Sequence, residues 1–442
     1  MTKQLTDEER KEVLELCSKH RSASSCIWSL NMLRALENGV KGNKWYSLKD
    51  KICRETALKY GFYKVLRNDG GRGVDGQTIK MFDQNLEANI TALSHKLESN
   101  QYEPKPTKRV YIDKPGSAVK RPLGIPTVVQ RTVEATFKFA LEPIFEKEFL
   151  GCSYGFRPQR STKDALREVA KMLEEGNKIV IDADIKGYFD TIDHALLMEF
   201  IKERIADKWV LSYLKRFLKN DIMENLKTWK PTMGSPQGGV LSPLLSNIYL
   251  HKLDKRMTDE GFKMIRYADD FVVMCKTIEE ATRGLQVIKE VMADLKLTLH
   301  PDKTKIVEVT KEVGFEFLGY LFLENKRRPR NKSLLAFRRK VKEKTPRKLG
   351  NSLVKVIGVL KPILTGWYAY FKNVKNSPKV FNSLDGFVRR RLRSILAKFH
   401  KKKGSHRNLD NFKYTNKFFQ DLGLFSLQNA HEKDVALAKG NL

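Results

Sequence analysis

Two adjacent aspartates, Asp269 and Asp270, stand in the run Arg266-Tyr267-Ala268-Asp269-Asp270-Phe271-Val272-Val273-Met274, with strand-like apolar residues on both sides. This pattern predicts a β-hairpin over 265–275 with the carboxylates at its turn. Asp-Asp at a turn is also ordinary surface chemistry, so the pair by itself decides nothing. Like charges about 4 Å apart, at an effective dielectric of about 20, repel by about 4 kcal/mol. Held between apolar strands, such a pair calls for a cation. A further carboxylate, Asp184, ends the buried-type strand 178–185 in Asp182-Ala183-Asp184-Ile185-Lys186-Gly187-Tyr188-Phe189-Asp190. Carboxylates from two strand ends are the means of clamping two Mg²⁺ ions ~3.5–4 Å apart, an arrangement that activates a 3′-hydroxyl and stabilises a leaving pyrophosphate. Asp182 lies two residues before Asp184, on the same strand face, and is read as a supporting residue rather than a ligand.

The elements that must position these groups follow from periodicity. Residues 1–60 and 77–100 read as helical, separated by the Gly-rich loop 68–76. Residues 107–126 read as two strands around a turn at Pro115-Gly116. Residues 127–149 form an amphipathic helix, with Val129, Val133, Phe137, Leu141 and Ile144 at three- and four-residue steps. From Leu334 onward the period is helical. One stripe runs Leu353, Ile357, Leu360, Leu364, Trp367, Phe371, with a kink or break expected at Pro362. A second runs Val380, Leu384, Val388, Leu392, Ile395, Phe399, starting from Ser377 as N-cap and Pro378 at the first helical position. Its other face holds Arg389, Arg390, Arg391 and Arg393, giving helices with an apolar seam and a cationic exterior.

At 442 residues the chain has room for two or three domains. Its 83 Lys and Arg against 52 Asp and Glu leave a net charge of +31. The segment 321–403 holds 25 Lys and Arg against three acids (Glu324, Glu343, Asp385). A field of one sign over one stretch suits a polyanion, whose condensed counterions are released as its phosphates are neutralised. A solvated basic face or an anionic membrane surface are the alternatives. Five cysteines without a C-x-x-C pair argue against a zinc ribbon or a disulfide framework. The charged start, with Thr6 and Glu9 in a capping-box pattern, is unlike a signal peptide, and no apolar run approaches the ~18 residues that span a bilayer. The expectation is a soluble intracellular protein with no membrane partner.

Over nearly its whole length the chain resembles the group II intron reverse transcriptases, the intron-encoded maturases. The resemblance rests on Tyr267–Asp270 and Asp184–Asp190, and on Gly234-Ser235-Pro236-Gln237-Gly238-Gly239-Val240-Leu241-Ser242-Pro243 between them. It also rests on Arg121-Pro122-Leu123-Gly124-Ile125-Pro126-Thr127, Ser153-Tyr154-Gly155-Phe156-Arg157-Pro158 and Phe317-Leu318-Gly319-Tyr320. Six short motifs in the family's order are specific where each alone is weak. The resemblance implies an α+β fold. A right-hand polymerase, with fingers and palm over 61–330 built of antiparallel sheet and helices, is followed by an α-helical thumb or maturase domain over 331–403. Residues 1–60 are then an N-terminal helical extension, and 404–442 a short basic extension read as DNA-binding.

The same resemblance places two Mg²⁺ ions, with Mn²⁺ as a substitute, on Asp184, Asp269 and Asp270, with the Ile185 carbonyl as a further ligand. It implies nucleotide contacts from Lys114, Arg121, Phe189, Gln237 and Lys303. Phe189 falls at the steric-gate position that would exclude a ribose 2′-hydroxyl, and Tyr188 beside it could exchange roles with it. Lys303 matches a late palm lysine with a general-acid role toward pyrophosphate. Nucleic acid would bind Arg389, Arg390, Arg391 and Arg393. The implied partners are group II intron RNA, an RNA template with a DNA primer, deoxynucleoside triphosphates and target DNA, in the bacterial cytoplasm and acting at the nucleoid. Many relatives carry an H-N-H endonuclease with cysteine pairs at this end. No cysteine follows Cys275, so second-strand cleavage is not expected. A polymerase serving a host task, or a splicing cofactor without catalysis, are the other readings. Three clustered carboxylates beside a polyanion speak against the last.

Overall fold

The computed structural model describes residues 7–19, 23–113, 120–225, 227–235, 238–346, 352–399 and 413–440. The strands are β1 (Thr107–Asp113), β2 (Lys120–Ile125), β3 (Ile179–Asp184), β4 (Ile222–Glu224), β5 (Lys227–Trp229), β6 (Lys263–Tyr267), β7 (Asp270–Cys275), β8 (Lys305–Glu308), β9 (Phe315–Phe317), β10 (Tyr320–Leu323) and β11 (Lys326–Pro329). They make three sheets, of order β2-β1-β4-β5, β6-β7-β3-β8 and β11-β10-β9. Contacts divide the chain into two compact units, residues 1–177 with 181–306, and 178–180 with 307–442.

In the first unit β1 and β2 pair antiparallel, with Ile112 opposite Arg121, and β1 pairs parallel with β4. The helix Val128–Glu146 starts at Thr127, whose hydroxyl accepts the Gln130 N–H. Of its expected apolar face it buries Val133, Phe137, Leu141 and Ile144, with Val129 half-buried, and polar Glu134 and Gln130 with them. Strands β6 and β7 form the expected hairpin, with Tyr267 opposite Asp270. The buried runs of β3 and β7 are a strand's reading of near-continuous apolar sequence covered on both faces.

The second unit has one core, shared by the helices Asn331–Lys344, Leu353–Phe371 and Lys379–Phe399 through Phe337, Ile357, Leu360, Leu364, Leu384, Val388 and Leu392. The helix Leu353–Phe371 runs on through Pro362, so of the expected kink or break the break does not occur. Proline removes one hydrogen bond to the carbonyl four residues back. That residue is Gly358, which is exposed, so water can take up the carbonyl left over. Tyr414, Phe419 and Leu427 lie in the same core. The buried Asp385 carboxylate accepts the Leu427 and Gln428 N–H groups and the Ser426 hydroxyl, capping the helix Leu427–Gly440. In β9–β10 the Leu318-Gly319 turn has positive φ at both residues (46° and 83°), the pattern of a tight type I′ hairpin.

Candidate polymerase active site

The turn of the β6–β7 hairpin is two residues long, Ala268 and Asp269, with φ of +61° at Ala268 alone. Positive φ at only the first central residue is the type II′ pattern, which favours glycine there. An alanine in that conformation has to be held, and three contacts hold it. Gly155 packs flush on the turn: a Cβ on Gly155 would fall 2.2 Å from the Ala268 nitrogen. The segment before it runs along β6, with Arg266 N–H donating to Cys152 O at 2.8 Å and Tyr154 N–H to Arg266 O at 2.8 Å. Beneath the turn lies the Arg266 side chain, fully buried.

Arg266 uses its whole guanidinium. Nε donates to Asp254 Oδ1 at 2.6 Å and Nη2 to Asp254 Oδ2 and Ser153 Oγ, while Nη1 donates to Asn247 Oδ1 at 3.0 Å and to the Ala268 carbonyl at 2.9 Å. Asn247 in turn donates to Gly155 O at 2.9 Å. Asn247 and Asp254 are two turns apart on the helix Ser242–Asp259, hence on one face. Sequence reasoning missed this set. The signal was present: an arginine inside a strand that is apolar on both sides must meet a buried partner.

Asp184 ends β3, and its backbone is pinned by the 298–304 turn: His300 N–H donates to Asp184 O at 2.8 Å and Lys186 N–H to Thr298 O at 2.9 Å. These bonds flank Ile185 and leave its carbonyl out of the pair. Lys303, from the same turn, forms an ion pair with the Asp184 carboxylate. Burial pushes the Asp269 carboxyl above the usual carboxylate range, and the charge of Asp184 pushes the same way. A hydrogen bond from its own N–H, and the guanidinium groups of Arg121 and Arg266, oppose the rise. Asp184 and Arg121 are thus each within electrostatic reach of Asp269. Asp270 follows directly, paired with Tyr267 at the start of β7. Among the described residues no three His, Cys, Asp or Glu side chains are gathered so as to hold a metal ion, Asp184, Asp269 and Asp270 included, and the Lys303 ammonium rests on Asp184. The donors themselves, carboxylates and a peptide carbonyl, are hard oxygens of the kind Mg²⁺ takes.

The glycine loop meets two other motifs. Ser235 N–H donates to Phe189 O at 2.7 Å, and Gly234 N–H to Ile192 O at 2.8 Å. Gly238, at φ +108°, lies against β2 so closely that a Cβ would fall 2.3 Å from Gly124 O. Val240 N–H donates to the buried Glu134 at 2.8 Å. Burial pushes the Glu134 carboxyl above the usual range, against the hydrogen bonds it receives from Gln130 and Val240. Phe189 is half-buried and, with Arg109, Pro122, Gly124 and Trp229, lines a cavity of about 300 Å³. Tyr188 is separated from it in role: its ring is buried and its hydroxyl donates to Ser246 O at 2.8 Å. Lys114 and Gln237 lie outside the described residues.

The four arginines of the second unit divide. Arg391 binds the carbonyl and hydroxyl of buried Thr345. Arg393 binds Tyr414 O at 2.8 Å and lies over the Phe419 ring. Arg389 is half-buried and Arg390 exposed. No helix among the described residues is long and apolar enough to cross a membrane.

Two families match the chain. The Reverse transcriptase (RNA-dependent DNA polymerase) family matches residues 112–322, and the Group II intron, maturase-specific domain matches residues 334–414. Protein YkfC of Escherichia coli is 34% identical over 300 residues, 58% of this chain and 77% of that protein. The Group II intron-encoded protein LtrA of Lactococcus lactis is 39% identical over 198 residues, 45% of this chain and 33% of LtrA. The match thus spans most of YkfC and a third of LtrA. The chain belongs to the group II intron reverse transcriptase and maturase family, RNA-directed DNA polymerases that carry a maturase domain.

Proposed function

We propose that the chain extends a DNA primer on an RNA template by nucleotidyl transfer at Asp184, Asp269 and Asp270, and that its maturase domain binds group II intron RNA to assist splicing and retrohoming. One observation carries the catalytic part. The carboxylate on the Ala268-Asp269 turn feels the charge of Asp184, at the end of a different strand. Bound divalent ions, two Mg²⁺ or Mn²⁺ in their place, would be held by these carboxylates and the Ile185 carbonyl, and supply neutralisation of the charge that develops on phosphate and leaving group.

The chain's own residues do the rest. Arg121, close enough to Asp269 to act on its carboxyl, is suited to the incoming triphosphate, with Lys114 in the same motif. Phe189 stands where a ring excludes a ribose 2′-hydroxyl, and Gln237 belongs to the loop that Phe189 O and Glu134 hold. Lys303, paired with Asp184, is suited to donate its proton to the leaving pyrophosphate. Fingers and palm are assigned to 61–330, and the maturase match from residue 334 supports a thumb starting near 331, flanked by extensions over 1–60 and 404–442. Target DNA is the partner that retrohoming adds, in a bacterial cytoplasm. Primer extension on an RNA template with a complementary DNA primer, Mg²⁺ and deoxynucleotides tests the polymerase. Retention of intron RNA over an unrelated structured RNA at matched salt tests the maturase.

A further inference from the structure

Phe156 adopts φ +60°. For a bulky side chain that is a strained backbone, and it persists only where the surroundings impose it. The residues on either side show how it is imposed. The Gly155 carbonyl accepts the Asn247 side chain at 2.9 Å, and Gly155 lies flush on the Ala268-Asp269 turn. Arg157, buried, donates to Glu146 at 2.7 Å, to Ser153 O at 2.9 Å and to Phe149 O at 3.2 Å. With the chain clamped at 155 and 157, residue 156 has no freedom to relax. The residue is nonetheless 43% exposed, so the strain leaves much of a large apolar side chain facing solvent. Hydrophobic packing therefore does not account for the strain, and a glycine would suit the backbone better.

We propose that Phe156 is a substrate contact, its ring stacking on the RNA template–DNA primer hybrid beside the reacting end. The ring leaves the chain one residue from Gly155, which itself touches the turn carrying Asp269, so what it meets is held next to the carboxylates. A polymerase must hold any sequence there, and aromatic stacking is sequence-tolerant because every base has a π-face. Arg160, four residues further along the same segment, lies over the Tyr154 ring at 5.1 Å and donates to Gly151 O at 2.7 Å, a cation that suits the hybrid's backbone. A backbone already fixed on both sides of residue 156 also costs little to order on binding.

The inference rests on the polymerase reading, and the test separates the two. The full-length protein, Phe156→Gly and Phe156→Tyr are compared for melting temperature and for affinity to a fluorescein-labelled DNA primer annealed to an RNA template, read by anisotropy. Phe156→Gly is expected to melt at or above the wild-type temperature and to bind the hybrid on the order of tenfold more weakly, the loss of one stacking contact. Phe156→Tyr should bind as the wild type does. Unchanged hybrid affinity in Phe156→Gly overturns the proposal, and so does a melting temperature several degrees lower, which would make the ring a packing residue. A wild-type protein that neither binds nor extends the hybrid overturns the polymerase reading instead.

Discussion

Arg266 and Asp254 meet as a two-point ion pair with both side chains wholly buried, and the remaining arm of the arginine reaches the Ala268 carbonyl in the turn before Asp269. Burying two charges costs several kcal/mol each, repaid only with good geometry and further hydrogen bonds, and Ser153 and Asn247 provide those bonds. Asp254→Ala or Arg266→Met should therefore lose about 3–5 kcal/mol in chemical denaturation, because each leaves an uncompensated charge or a stripped carbonyl. The paired apolar change Arg266→Met with Asp254→Leu should recover most of that stability. Its kcat should stay at least about tenfold down, since Ala268 loses its donor and a small misplacement of a reacting group is expensive. A stable double variant with wild-type kcat would remove Arg266 from any part in placing Asp269.

Phe189 and Tyr188 are neighbours with opposite expected phenotypes. Tyr188→Ala should cost about 3–5 kcal/mol, a buried aromatic lost together with its hydroxyl's bond to Ser246 O. Phe189→Ala should fold nearly as well while incorporating ribonucleotides at least about tenfold better relative to deoxynucleotides. Primer extension with each nucleotide set, beside denaturation curves, checks both. Unchanged sugar selectivity in a folded Phe189→Ala protein would assign the gate elsewhere.

Glu134 provides a pH signature. Its folded-state carboxyl is raised by burial, so between the unfolded and folded values the native state binds the extra proton, and stability falls as pH rises through that window. Glu134→Gln has no such proton. Melting temperature followed against pH should therefore show the wild type gaining on the variant as pH falls from neutral toward the usual glutamate range. A constant difference across that range would mean the burial of Glu134 carries no charge penalty.

In the helical unit the exposed and the engaged arginines separate binding from stability. Arg390→Ala should leave the melting temperature unchanged, weaken RNA binding, and reduce the slope of log affinity against log salt by roughly one counterion. Arg391→Ala and Arg393→Ala should lower the melting temperature, since they remove donors to Thr345 and Tyr414. The reverse pattern would move the nucleic-acid face to other residues.

Much of this was legible in sequence because period and order survive folding. The 265–275 hairpin, the buried strand ending at Asp184 and the helix from Thr127 all follow from local pattern, and the reverse transcriptase and maturase family follows from six motifs in order. The packing between distant segments was not legible. Nothing local says that Gly155 closes on Ala268, that Gly238 closes on Gly124, or that Glu134 caps the glycine loop, since each contact joins residues about a hundred positions apart. Pro362 left a kink and a break equally open because residue type alone does not choose between them, and the helix continues through it. Charge on a helix face also does not say which arginines of the row make bonds to nearby carbonyls, as Arg391 and Arg393 do.

Mg²⁺-dependent cDNA synthesis by Asp184→Asn and Asp269→Asn proteins, each matched to wild type in fold by melting temperature, tests the central claim most directly. Wild-type protein should extend a DNA primer on an RNA template with Mg²⁺ and stop on chelation, while each variant should fall by at least about a thousandfold, the loss of a group acting on charge that develops in the transition state. Synthesis near the wild-type rate in either folded variant would contradict the assignment of Asp184 and Asp269 as the residues that hold the metal ions.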